Sequence, residues 1–245
     1  MRVGGVDGCR AGWLVVLVDN PGSGEARLEV NVCSDFGLVR SRCDEFGADF
    51  VGVDMPIGLA VDGRRTAESE ARRRLGARRS SLFPSPAHAV LGTVDWADAL
   101  AVNRAVAGRG MSKQMYNLLP KIREVRSAVG ADDQPRFSEV HPESSFLAMA
   151  GRLPAVKKSV LGQLQRLALV EQRVGSLLGW AAGSELAMAE LEDSEFPTLA
   201  GAALDDVLDA CAAAWTARRL AAGTADVFGG DDGVDPDGYR LTISV

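Results

Sequence analysis

FVGVDMP, residues 50–56, is a short apolar run that ends on an aspartate and a proline. It reads as a buried strand, and Pro56, which offers the ladder no donor, stops it. Ahead of it, residues 35–46 read as a helix with Asp35 as its cap. Further back, RVGGVD at 2–7 and GWLVVLV at 12–18 are two more apolar runs, with Gly8 and Gly12 flanking a hairpin-like connection. ARLEVNVC at 26–33 alternates Leu28, Val30 and Val32 with polar residues, and PGSG at 21–24 is the turn before it. Three strands this close together form an antiparallel meander. A strand, a helix and then a strand permit a right-handed crossover, which lays 50–56 parallel to an earlier strand.

Beyond Pro56 the pattern changes. Residues 57–130 form an irregular, mostly helical stretch, with helices at about 66–76, 95–107 and 112–127 and a Gly-Arg-Gly loop at 108–110. RFSEVHP at 136–142 is the next parallel-strand candidate. Helices are expected at about 143–150, 159–179, 184–192 and 201–221, and YRLTISV at 239–245 as a closing edge strand. No internal repeat or low-complexity linker interrupts the chain. Its 245 residues are read as one domain, 1–245, with 57–130 inserted.

Composition narrows the class. Hydrophobic residues make up 47% and charged residues 24%, as in an ordinary globular protein. No apolar run is long enough to span a bilayer and no signal peptide precedes the first strand, so the expected location is the cytoplasm. Cys9, Cys33, Cys43 and Cys211 are scattered with no CxxC pair, which argues for packing roles rather than zinc or disulfides. A net charge of −6 argues against nonspecific nucleic-acid binding, but the charge is unevenly placed. Residues 55–130 hold 13 Lys/Arg against 6 Asp/Glu, whereas 181–245 hold 3 against 13. That split suits a polyanion-facing insertion beside a cation site; a solvated Arg-rich helix explains it equally well.

The carboxylates carry the chemistry. Asp7 follows a buried apolar run, where a charge is costly unless paired or cation-bound. The competing reading is a turn Asp before a hairpin glycine. Asp54 repeats the pattern at the end of a second buried strand, and ligands of open α/β sheets bind at such carboxyl ends. DDVLDA opens the last helix. Asp206 and Asp209 share a face there, although the helix macrodipole alone would account for Asp205. Glu139 and His141 face one side at strand period two. Glu139 could add a carboxylate to the metal site, and His141 could be an acid, a base or an ordinary polar residue. Arg78, Arg79, Ser80 and Ser81 form a basic and hydroxyl cluster, and Lys113 and Gln114 follow a glycine loop; such groups suit phosphate oxygens. Neither a Walker-type loop nor GxGxxG is present.

Several stretches together resemble a known group: GVDGCRAGW (5–13), VGVDMPIGL (51–59), RRSSLFPSPAHAVL (78–91), MSKQMYNLLPKIREV (111–125), EVHPESSF (139–146) and DDVLDACAAAWTARR (205–219). They are similar to the motifs of an uncharacterised family, a domain of unknown function described as predicted nucleases with a ribonuclease H-like fold. The wider superfamily includes ribonuclease H and the Holliday-junction resolvases. The resemblance implies an α/β fold with a five-stranded mixed sheet, order 3-2-1-4-5, flanked by helices, with a helical insertion after the fourth strand. It implies acidic residues on strand one, strand four and the last helix, which Asp7, Asp54 and the pair Asp206/Asp209 match. It also implies a carboxylate on the first helix. Asp44 and Glu45 match that poorly; Glu139 could replace it, or one metal could be bound where relatives bind two.

The resulting expectation is a nuclease that uses Mg²⁺ or Mn²⁺ to hydrolyse phosphodiesters in nucleic acid. Asp7, Asp54 and Asp209 hold metal, with Asp206 and Glu139 assisting, and Arg78, Arg79, Ser80, Lys113 and His141 meet the substrate. Two rivals stay open: a phosphotransferase or nucleotide-binding protein of the sugar-kinase-like branch of the fold, and a non-catalytic nucleic-acid-binding module. No membrane partner is expected, and a homodimer is left open.

Overall fold

β1 (Arg2–Cys9) and β2 (Gly12–Asp19) pair antiparallel from Arg2↔Asp19 to Cys9↔Gly12, and β2 continues the meander into β3 (Arg27–Cys33). The computed structural model describes residues 1–20, 26–152, 155–188, 199 and 201–245, and of 184–188 the backbone only. The turn expected at 21–24 lies outside them. α1 (Phe36–Phe46) then crosses over, started by the Asp35 carboxylate on the Leu38 N–H and stopped by Gly47 in the left-handed region. It delivers β4 (Phe50–Val53) parallel to β1, with Gly5↔Gly52 and Val6↔Val53 in register. β5 (Phe137–Glu139) adds in parallel to β4. The order β3-β2-β1-β4-β5 is the ribonuclease H-like topology.

Between β4 and β5 run α2 (Thr66–Leu75), α3 (Trp96–Ala107) and α4 (Lys113–Ala128), joined by short 3-10 turns at Gly76–Ser81 and His88–Gly92. After β5 come α5 (Pro142–Ala150), α6 (Val160–Arg173), α7 (Leu177–Met188) and α8 (Leu204–Ala221). The pleat splits the sheet residues between two cores. Val15 and Leu17 pack with Phe36, Val39 and Ile122 under α1 and α4. Leu14, Val16 and Val18 pack with Val207, Ala210 and Ala214 of α8 on the other face. All four cysteines are free and buried.

Over the glycines of β1 and β4, α8 lies directly on the sheet backbone. A Cβ on Gly5 would fall 2.0 Å from the Ala210 carbonyl oxygen, and one on Gly52 would fall 2.4 Å from that of Ala213. Glycine in these two strands is therefore a packing requirement.

Three expectations need correction. Residues 159–179 are not one helix. α6 ends at Arg173 and α7 starts at Leu177; between them Gly175 packs where a Cβ would strike Leu28 at 2.3 Å, and the Ser176 hydroxyl accepts from the Gly179 N–H in the first turn of α7. The helix expected at 184–192 is the end of α7, its last residues lying outside those described. The strand expected at 239–245 is reduced to β7 (Ile243–Ser244), which pairs with β6 (Val227–Phe228); a single bridge joins Ser244 to Val140 beside β5. Gln134 binds both main-chain groups of Arg240, which forms an isolated antiparallel bridge to Val234 rather than extending β7.

Gly5→Ala should lower unfolding free energy by about 3 kcal/mol or more, the upper end of overpacking costs, because main chain cannot repack. Urea titration of both proteins checks this; a loss within experimental error would show that α8 can lift off freely.

Candidate metal centre

The two strand aspartates reach one place because they follow the two glycines at the same spacing. Gly5 and Asp7 lie on one face of β1; Gly52 and Asp54 lie on the same face of β4 and just past its end. The parallel ladder stops at Val6↔Val53, so Asp7 sits where β1 outruns β4, and the Asp54 N–H still reaches the Val6 carbonyl at 2.9 Å. α8 rests on those glycines through Ala210, Ala213 and Ala214, and Asp209 immediately precedes the contact. Carboxylate oxygens of Asp7, Asp54 and Asp209 consequently all lie within 4.8 Å of one another.

Such a grouping is unfavourable by itself. Asp7 and Asp209 are buried, and Asp54 opens onto a cavity. Burial, then Asp54 and Asp209, push the Asp7 carboxyl well above the usual range. Burial and then Asp209 push Asp54 up to about 8. Asp209 is pushed up to about 6 by burial, against the pull of Lys157. Lys157 is the local remedy: its ammonium contacts Asp209 directly and lies 3.8 Å from Asp205. The turn carrying it is tied down at Ala155, whose carbonyl accepts from Arg78 and Arg166 and whose N–H donates to Gln165.

The donor set fits a hard divalent cation. Three carboxylate oxygens suit Mg²⁺ or Mn²⁺ better than soft metals. Oxygens on one octahedral Mg²⁺ at about 2.1 Å stand about 3.0 Å apart when cis and about 4.2 Å when trans, and the three carboxylates already come within 4.8 Å of one another. A second grouping, His88, Asp235 and Asp237, is less suited. Arg126 already pairs with both of those aspartates, and Asp235 also accepts from the Leu59 N–H.

The other expected residues divide. Asp206 stands one turn before Asp209, half-buried, and accepts from the Ala203 N–H as half of a capping box. Glu139 lies outside the three-carboxylate group. Its oxygens accept from the Ile57 N–H at 2.9 Å and from Arg65 at 2.6 Å, both fully buried. Burial pushes the Glu139 carboxyl up and Arg65 pulls it down; the short bond to a permanently charged guanidinium argues for an ion pair. His141 caps α5. Its Nδ1 faces the Ser144 hydroxyl and N–H, and the ring also bonds the Ser81 main chain. Burial holds its pKa down to about 4, so the ring is neutral. Arg78 binds Glu143 at 2.7 Å, and Arg166 holds the same carboxylate from the other side. Arg78, Ser80 and His141 line the cavity; Arg79 and Lys113 are exposed and do not, Lys113 lying over the rings of Trp96 and Tyr116.

Two lysines were missed by the sequence reading, and both line the cavity: Lys157 and Lys121. The stem of Lys121 lies over Gly8, and its ammonium reaches the Gly12 carbonyl above the Trp13 ring. It flanks the buried stripe Met115, Leu119, Ile122 and Val125 of α4, so helical spacing could have found it. Lys157 lies in a turn with no pattern to mark it.

The fold and this site define a class: an α/β protein of ribonuclease H-like topology with three carboxylates grouped within 4.8 Å of one another. The chain belongs to the family described as Protein of unknown function (DUF429), whose model matches residues 5–233. Comparison with curated proteins and with solved structures finds no match.

Two predictions follow from the electrostatics. A carboxyl raised in the folded state keeps its proton where the unfolded chain has lost it, so stability falls as pH rises from about 4 to about 8. Thermal melts across that range should show a steeper decline for metal-free wild type than for Asp54→Asn, and Mn²⁺ should flatten the wild-type curve; parallel curves would contradict the raised carboxyls. Lys157→Met should melt lower than wild type without metal and gain more from millimolar Mn²⁺, because the ion no longer competes with an internal ammonium. Equal gains in the two proteins would mean that Lys157 and the ion do not share Asp209.

Proposed function

We propose that this protein is a divalent-metal-dependent phosphodiester hydrolase acting on nucleic acid. One observation carries the reading: three carboxylates from three separate elements converge at a cavity that also holds Lys121 and Lys157. Anionic ligands for a metal beside cations for phosphate are what such a hydrolysis needs. The family resemblance of the motifs supports the same chemistry.

Asp7, Asp54 and Asp209 would hold Mg²⁺ or Mn²⁺. A bound ion supplies Lewis-acid stabilisation of charge on phosphate oxygens and makes a water more acidic. The chain's own residues do the rest. Lys121 and Lys157 would neutralise the phosphate, Lys157 being available once the ion takes over Asp209. Hydrolysis adds water across a P–O bond: the attacking oxygen bonds to phosphorus and the ester oxygen leaves with a proton. Arg78 would act by position, anchoring Glu143 and the Ala155 carbonyl, and so the turn that carries Lys157. His141, neutral and engaged at Nδ1 by Ser144, would shape the cavity wall rather than move a proton.

Wild type with Mn²⁺ should cleave at least one member of a panel of labelled single-stranded, duplex, hybrid and branched substrates. Asp7→Asn should cleave about a hundredfold more slowly or worse, since even outer-shell partners of a metal are worth 10–100-fold. Binding without cleavage by wild type would instead mark a non-catalytic module.

A further inference from the structure

The cavity over the three aspartates measures about 580 Å³ and is not polar throughout. Leu82 and Phe83 form one side, and Met115 and Leu118 of α4 join them. Leu82 and Met115 are buried, whereas Phe83 is 36% exposed and lines the same cavity as Asp7 and Lys157. One exposed phenylalanine would need no explanation. This one is held in place, between the 3-10 turn that ends at Ser81 and the proline at 84.

The next residue is strapped from three sides. The Ser85 N–H donates to Glu68 at 2.9 Å, its hydroxyl accepts from Arg65 at 3.3 Å, and its carbonyl accepts from Arg109 at 3.0 Å. Arg65 is the guanidinium that pairs with Glu139 at the end of β5, so the aromatic wall and the sheet edge share one buried anchor. A backbone held this close to the ring lowers the ordering cost of binding a flat partner there. Aromatic rings beside cationic groups are how proteins hold unpaired bases, since every base has a π-face.

We propose that the cavity is a subsite for one unpaired nucleobase, stacked on Phe83, of a strand whose phosphate lies at the carboxylates. The substrate class is then single-stranded nucleic acid or a locally unpaired segment. The inference rests on the hydrolase reading. A cavity of this volume has room for about one or two nucleotides, in the size range of small-molecule sites. A duplex keeps its bases stacked inside and would offer the ring nothing.

The test uses the full-length protein with Mn²⁺ at fixed salt. Fluorescence anisotropy would follow a labelled pentanucleotide, its abasic counterpart and a blunt duplex, with cleavage read in parallel. The pentanucleotide should bind at least tenfold tighter than the abasic strand. Phe83→Ala should weaken it roughly tenfold and leave the abasic strand unchanged, and Phe83→Trp should keep wild-type affinity. Thermal melts confirm that each variant is folded. Equal binding of abasic and base-bearing strands, or an equal preference for duplex, would overturn the base subsite while leaving the hydrolase intact. If none of the three is bound or cut, the hydrolase reading fails and takes the subsite with it.

Discussion

The close seat of α8 on the backbones of β1 and β4 is the contact from which the rest follows. Gly5 and Gly52, neighbours in the parallel ladder, leave no Cβ between sheet and helix. Alanines at 210, 213 and 214 complete the fit from the helix side. Asp7 and Asp54 sit two residues beyond those glycines, so the spacing that seats the helix also aims both carboxylates along it. Asp209 meets them because it is next to the contact. A methyl group on either glycine would press on the main chain of α8, and any outward shift of the helix would carry Asp209 away from the two strand aspartates.

That convergence stores repulsion, and the surrounding charges are arranged to contain it. Lys157 neutralises Asp209 from a turn tied to Arg78 and Arg166. Four arginines between β4 and β5, none of them offered to phosphate by the sequence, serve the fold. Arg65 closes on Glu139, Arg109 on the Gly63 and Ser85 carbonyls, Arg123 on the carbonyls of Val90, Leu91 and Thr93, and Arg126 on Asp235 and Asp237. Arginine suits this work, since one fork can satisfy several carbonyls that loops leave unpaired. Part of the segment's positive charge thus closes the backbone of its loops.

The strands, the crossover and the three aspartates were legible because period, turn glycines and strand-end carboxylates are local signals. The order of the sheet came from the resemblance of whole motifs, not from periodicity. Glu139 shows where local reading stops: its spacing with His141 was plain, but its partner Arg65 is 74 residues away. Lys157 shows the same from the other side, as its role exists only after α5, α6 and α8 have packed. The break at Gly175 carried a readable mark, a glycine and a capping serine, outweighed by the helical pattern on both sides. The short β7 had no such mark, since Gln134 claims Arg240 from more than 100 residues away.

The cysteines carry a practical consequence. All four thiols are buried, and burial pushes those of Cys43 and Cys211 up to about 12, so at neutral pH neither is a nucleophile. Maleimide chemistry on the folded protein would therefore meet little native background. A single cysteine introduced at Ser80, on the cavity rim, could carry a spectroscopic label without first stripping the protein of its own sulfur.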